Sequence, residues 1–105
     1  MKTRLLFICT GAIDRSPAAV SLFKHHAKYE AKCAGLGALT ETPITKELIN
    51  WADIIFAMEH EHKVLLLNKF PETSKEIKVL NIPNQYLRHD SELTRLLKLK
   101  LSDFL

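Results

Sequence analysis

Cys9 and Arg15 stand with five residues between them in the run Cys9-Thr10-Gly11-Ala12-Ile13-Asp14-Arg15-Ser16-Pro17. A thiolate is a strong nucleophile, and a guanidinium presents a planar fork that can hold two phosphate oxygens at once. On one short loop the two groups suit hydrolysis of a phosphate ester through a cysteinyl-phosphate intermediate. In that chemistry Cys9 attacks phosphorus. Arg15 and the backbone N–H groups of Thr10, Gly11, Ala12, Ile13, Asp14 and Arg15 hold the equatorial oxygens, and water then releases the phosphate. A free cysteine is more often a small buried hydrophobe, but the Thr-Gly that follows Cys9 and the Arg15-Ser16 pair favour the nucleophile.

The elements around the loop have to aim it. Leu5-Leu6-Phe7-Ile8 is a short apolar run of buried-strand type, and Ser16-Pro17 reads as a helix start with Ser16 as N-cap. A loop from a strand's carboxyl end to a helix amino terminus converges its N–H groups, and the helix dipole adds partial positive charge. Such a cradle favours anions and favours cysteine in its thiolate form.

The same pattern repeats along the chain. A strand is expected over Arg4 to Ile8 and a helix from Ser16 to about Tyr29, with Ala19, Leu22, Phe23 and His26 along one stripe. A second strand follows at Ala31 to Gly35. Thr42-Pro43 opens a helix running to about Trp51, with Ile44, Leu48 and Trp51 on one face. Ile54 to Met58 reads as a strand covered on both faces, Glu59 to Lys69 as a helix that Phe70-Pro71 ends, and Ile77 to Ile82 as the last strand. Asn84 to Asp90 is polar loop, and Ser91 to Phe104 is a helix with Leu93, Leu96, Leu97, Leu101 and Phe104 toward the core. Four strand–helix alternations imply a single α/β domain over residues 1–105, a three-layer α/β/α arrangement on a four-stranded parallel sheet with right-handed crossovers. In such sheets the ligand crevice lies at the carboxyl ends of the strands, where Cys9, Met58-Glu59 and the Pro83–Asp90 loop all fall.

The composition bounds the function. With 105 residues, 47% of them apolar and 26% charged, the chain has the balance of a soluble globular domain. A net charge of +3 with scattered basic residues shows no basic stripe, so no nucleic-acid partner is expected. No run approaches the ~20 apolar residues of a membrane span. Lys2 and Arg4 before Leu5 imitate a signal peptide, but the apolar run stops at Thr10-Gly11 with no cleavage site. A cytoplasmic location is expected, with Cys9 and Cys33 reduced and Cys33 structural. His60 and His62, two apart, do not share a helix face, so no metal pair is expected.

The Cys9–Arg15 loop with Ser16-Pro17, close behind the first strand, resembles the signature loop of the low-molecular-weight protein tyrosine phosphatases. Ala34-Gly35 is similar to that family's Ser-Ala-Gly. Ile44-Thr45-Lys46-Glu47-Leu48 and Trp51-Ala52-Asp53-Ile54-Ile55-Phe56-Ala57-Met58 resemble a short bacterial and archaeal branch of it. The resemblance covers most of the chain. It implies a flavodoxin-like fold and a phosphatase acting on a phosphorylated protein (phosphotyrosine) or a small aryl phosphate, with no metal or organic cofactor. It adds Ser16 to the phosphate site, as a hydroxyl that hydrogen-bonds the thiolate.

The chain departs from the family pattern at four positions. Ala12 replaces an asparagine that holds the loop in a left-handed conformation, which costs alanine about 1–2 kcal/mol. Asp14 replaces a second loop cysteine. Two unit charges ~5 Å apart at an effective dielectric near ~20 repel by roughly 3 kcal/mol, so the Asp14 side chain is expected to point outward. Asn81-Ile82-Pro83-Asn84 stands where relatives carry Asp-Ile-Pro-Asp, so the leaving-group acid is sought elsewhere. Asp90 is the surviving carboxylate, although before Ser91-Glu92-Leu93 it also suits a helix N-cap. His89 is the other candidate, since a histidine side chain can move a proton near neutrality. Asn84 and Tyr86 belong to the substrate loop. The alternative expectation is a weak or inactive relative that binds a phosphorylated ligand or partner.

Overall fold

The structure, a computed structural model, describes residues 2–11, 15–37 and 40–105. Its central strand β1 (Thr3–Cys9) pairs on both sides, in parallel, with β2 (Tyr29–Gly35) and β3 (Ile54–Ala57). A strand so placed is covered on both faces, which is why Leu5, Leu6, Phe7 and Ile8 form an unbroken apolar run. β4 (Ile77–Val79) pairs in parallel with β3, and the sheet order is β2-β1-β3-β4. This is the four-stranded parallel sheet the alternation predicts, in a flavodoxin-like order that reverses direction between β1 and β3.

Alternate residues of the strands feed two layers. Leu5, Phe7 and Cys9, with Phe56, Met58, Leu80 and Ile82, pack against Ala18 and Ala19 of α1 (Arg15–Ser21) and Leu93, Leu97 and Leu101 of α4 (Ser91–Leu101). Leu6, Ile8, Ile55 and Ala57 pack on the other side against Ile49 of α2 (Lys46–Trp51) and Leu66 of α3 (His60–Lys69). Phe7 stacks between Phe23 and Phe56, at centroid distances of 5.9 and 5.2 Å. The C-terminal end of α2 is closed by Lys75, whose Nζ donates to the carbonyls of Asn50 (3.3 Å) and Ala52 (2.6 Å). Among the described residues no helix is long and apolar enough to cross a membrane.

Four elements differ from their sequence expectation; the last helix ends at Leu101, not Phe104, which is 39% exposed. The first helix ends at Ser21 rather than near Tyr29. Leu22 and Phe23 turn back to the carbonyls of Ala19 and Val20, and His25 takes a left-handed backbone with φ 61°. The segment beyond is claimed by β1, since Thr3 N donates to Lys28 O at 2.9 Å. The second helix opens at Lys46 with Thr45 as N-cap, not at Thr42-Pro43. Thr42 O and Ile44 N instead bond Gly35, extending the sheet by a rung. The last strand stops at Val79 because Asn81 adopts φ 56°, yet the ladder resumes past it, with Leu80 N on Ala57 O and Ile82 N on Met58 O.

Phe7 is fully buried in the α1/α4 layer, so Phe7→Ala should cost about 3–5 kcal/mol of unfolding free energy. Urea denaturation reads that cost directly, and a loss under about 1 kcal/mol would contradict this packing.

Candidate active site

Cys9 is the last residue of β1 and is 3% exposed. The chain that follows is held from outside by the segment after β2. Leu36 N donates to Cys9 O (2.9 Å), Gly37 N to Thr10 O (2.8 Å), and the Thr40 hydroxyl to Gly11 O (2.8 Å). This approach requires glycine at position 35, where a Cβ would lie 2.6 Å from Thr40 Oγ1 and 2.7 Å from Thr10 O. Ala34-Gly35, which the sequence offered only as a likeness to Ser-Ala-Gly, is thus a wall of the site.

Arg15 opens α1 and is 3% exposed. Its Nη1 donates to the Glu59 carboxylate and, at 2.8 Å, to the carbonyl of Ile82. Removing a guanidinium from water is tolerable only with such partners. Nε and Nη2, the edge that grips an oxyanion bidentately, have no hydrogen-bond partner among the described residues. Ser16 lies inside the first turn of α1 rather than at its N-cap, since the helix already begins at Arg15. Its hydroxyl is fully buried without a partner among the described residues, an arrangement that suits a donor reserved for a ligand or a thiolate. Ala12, Ile13 and Asp14, the middle of the expected phosphate-binding set, lie outside the described residues.

The wall opposite is the first turn of α3, whose start, Glu59, the sequence places at this edge without giving it a role. Glu59 is its N-cap, and the Glu59 N–H donates to His62 Nδ1 at 3.1 Å. His62 is fully buried, and its Nε2 lies 3.0 Å from Thr10 Oγ1. A ring that accepts on Nδ1 carries its proton on Nε2 when neutral, so Nε2–H donates to Thr10. Burial, and next the Arg15 guanidinium, hold the His62 pKa below its ordinary value, with Glu59 and Glu61 pulling the other way. Glu59, Glu61 and His62 also bring donor atoms within 4.8 Å of one another. However, Glu59 is committed to Arg15 and both His62 nitrogens are engaged, so this is a scaffold rather than a metal centre. The signal in the sequence was position: Met58-Glu59 falls at the same sheet edge as Cys9.

The loop after β4 completes the surroundings. Asn81 is exposed and left-handed, a conformation asparagine tolerates better than most residues. Its side-chain type thus has a backbone reason, and the kink delivers the Ile82 carbonyl to Arg15. Asn84 and His89 are exposed, while Tyr86 is half-buried against the α1/α4 layer, its hydroxyl taking a bond from Gln85 Nε2 at 3.3 Å. Asp90 caps α4 by accepting the Glu92 N–H on Oδ1 at 2.8 Å. Cys9 and Cys33 form no disulfide, and burial, then proximity to Cys9, pushes the Cys33 thiol up against an opposing pull from Arg88. That makes Cys33 a poor nucleophile.

No family model matches the chain. It is 31% identical over 96 residues, 69% of its own length, to a protein-arginine-phosphatase of Geobacillus stearothermophilus. It is 30% identical over 93 residues, 63% of its length, to a protein-arginine-phosphatase of Bacillus subtilis (strain 168). The matches span 65% and 62% of those two relatives, just under two thirds of each. Among solved structures it is similar to a low molecular weight protein tyrosine phosphatase from T. tengcongensis, with TM-score 0.73, 25% identity and coverage of 99% of this chain and 100% of that one.

Two outcomes follow from this geometry. Gly35→Ala should cost about 1–3 kcal/mol of stability, because the clash is with the backbone of Thr10 as well as with Thr40; an unchanged denaturation midpoint would contradict it. For His62, unfolded histidine takes up a proton near pH ~6.5 while the folded ring resists it. Stability is therefore full above that range and falls as pH drops through it, by at most about 1.4 kcal/mol per pH unit from this group. Urea denaturation between about pH 7 and pH 5 should show a steeper loss for the wild type than for His62→Gln; equal slopes would contradict the buried neutral ring.

Proposed function

We propose that the chain is a member of the low-molecular-weight protein tyrosine phosphatase family, to which it is similar, and a cysteine-dependent phosphatase working through a cysteinyl-phosphate intermediate. The observation that carries this reading is Arg15: a buried guanidinium anchored through Nη1, its Nε–Nη2 edge without a partner among the described residues, at the start of the helix that follows the Cys9 loop. Cys9 Sγ forms a bond to phosphorus as the P–O bond to the leaving group breaks, and the leaving oxygen takes a proton. Water then attacks phosphorus, the S–P bond breaks, and inorganic phosphate leaves with the thiol restored. Arg15 and the loop N–H groups, those of Ala12, Ile13 and Asp14 included, hold the equatorial oxygens throughout. Asp90, at the end of the substrate loop with Asn84 and Tyr86, is the carboxylate assigned to the leaving group, alongside its capping of α4.

The substrate is a phosphotyrosine side chain of a protein or a small aryl phosphate, met in the cytoplasm. A second reading, phosphoarginine, is favoured by the names of the two bacterial relatives. A guanidine also departs only with a proton, so both readings ask for the same acid.

Nitrophenyl phosphate, whose leaving group needs little protonation, should be turned over by the wild type and not by Cys9→Ser. Asp90→Asn should lower phosphotyrosine turnover about 10²-fold while sparing nitrophenyl phosphate, and Asn84→Asp should raise phosphotyrosine turnover. Absence of Cys9-dependent turnover on any of nitrophenyl phosphate, phosphotyrosine peptide or phosphoarginine peptide overturns the enzymatic reading in favour of a phosphate-binding relative. The ratio of the two peptide rates decides the substrate.

A further inference from the structure

We propose that His62 is a positioning residue of the phosphate site, setting the start of the loop by donating its Nε2–H to the Thr10 hydroxyl while the Glu59 N–H fixes its other nitrogen. This rests on the reading of the Cys9–Arg15 loop as a phosphate cradle and deepens it. Cradles of this kind work only when the donors are in place before the anion arrives. Here one turn of α3 holds both ends of the loop. Glu59 grips Arg15 at the far end through its carboxylate, and His62 grips Thr10 at the near end. The two grips are tied to each other by the Glu59 N–H on His62 Nδ1, at 3.1 Å. The separation between Thr10 and Arg15 is thereby referred to a single rigid turn.

The chemistry requires histidine in its neutral state. Nδ1 accepts a backbone N–H, so only Nε2 carries a proton, and the ring's orientation allows one donor toward Thr10. Arg15 from α1 and Glu59 and Glu61 from α3 are the charged groups that act on the ring. His62 is fully buried, whereas Thr10 is exposed, so the Thr10 hydroxyl can be removed with little effect on packing. A cap for α3 alone would need the Nδ1 contact and not the Nε2 one, which separates the two roles.

Isothermal calorimetry with inorganic phosphate tests the assignment. Thr10→Val and His62→Asn, which each remove the Nε2–Thr10 bond, should weaken phosphate binding about fivefold, the value of one neutral hydrogen bond. Thr10→Ser, and His62→Gln with its amide nitrogen near the Nε2 position, should stay within about twofold of the wild type. The double variant Thr10→Val with His62→Asn should be no weaker than either single one, because both remove the same bond. Thr10→Val binding like the wild type, or fully additive losses in the double variant, overturns the proposal. If His62→Asn fails to fold, Thr10→Val against Thr10→Ser decides it alone. A wild type that binds no phosphate overturns this proposal together with the phosphatase reading, whereas binding that Thr10→Val leaves unmoved overturns this proposal only.

Discussion

A guanidinium buried to 3% exposure cannot stand without compensation, and the way Arg15 is compensated determines the layout of the sheet's carboxyl edge. Its two partners among the described residues come from different connections, the Glu59 carboxylate from the β3–α3 turn and the Ile82 carbonyl from the segment after β4. Withdrawing either partner leaves a buried charge short of a bond, which costs more than the pair contributes when intact. The loop that carries Cys9, the turn that carries His62 and the substrate loop are therefore held in register by one side chain.

The parallel sheet makes this arrangement possible. With β1 and β3 adjacent and the connections leaving on opposite faces, the carboxyl ends of the two central strands open onto a crevice that no crossover fills. Beneath that edge Cys9, Phe56, Met58, Leu80 and Ile82 all belong to one apolar layer. The buried polar groups Arg15, Ser16 and His62 lie at this same edge, where a low local dielectric strengthens each contact they make.

Much of this was legible in the sequence. The alternation of short apolar runs with amphipathic stretches identified all four strands and the parallel sheet, because a doubly covered strand has no polar face to confuse the pattern. The spacing of Cys9, Arg15 and Ser16-Pro17 located the loop. Helix lengths were less legible. Leu22 and Phe23 do pack inward, with His26 beside the Phe23 and Tyr29 rings, yet they do so from tight turns, since β1 claims the segment from Lys28 onward. In the sequence Glu59 falls at the crevice edge and His62 is weighed only as a metal ligand; their grip on the loop was not legible because Glu59-His60-Glu61-His62 reads as an ordinary polar helix start, and only the fold brings it opposite Thr10 and Arg15. Asn81 was read as a lost acid, whereas its positive φ gives it a conformational role that residue type alone does not reveal.

The clamp around the loop also links binding to folding. Its contacts join Cys9 and Thr10 to Leu36 and Gly37, Thr10 to His62, and Arg15 to Glu59 and Ile82. These residues come from both halves of the sheet, so no fragment of the chain contains the whole site. A ligand that recognises the site therefore recognises only the completed fold, and its binding energy is added to the global unfolding free energy rather than to one loop. At a hundred times its dissociation constant such a ligand raises that free energy by about 2.7 kcal/mol. Occupancy of this small cleft is then a determinant of how long the whole chain survives proteolysis.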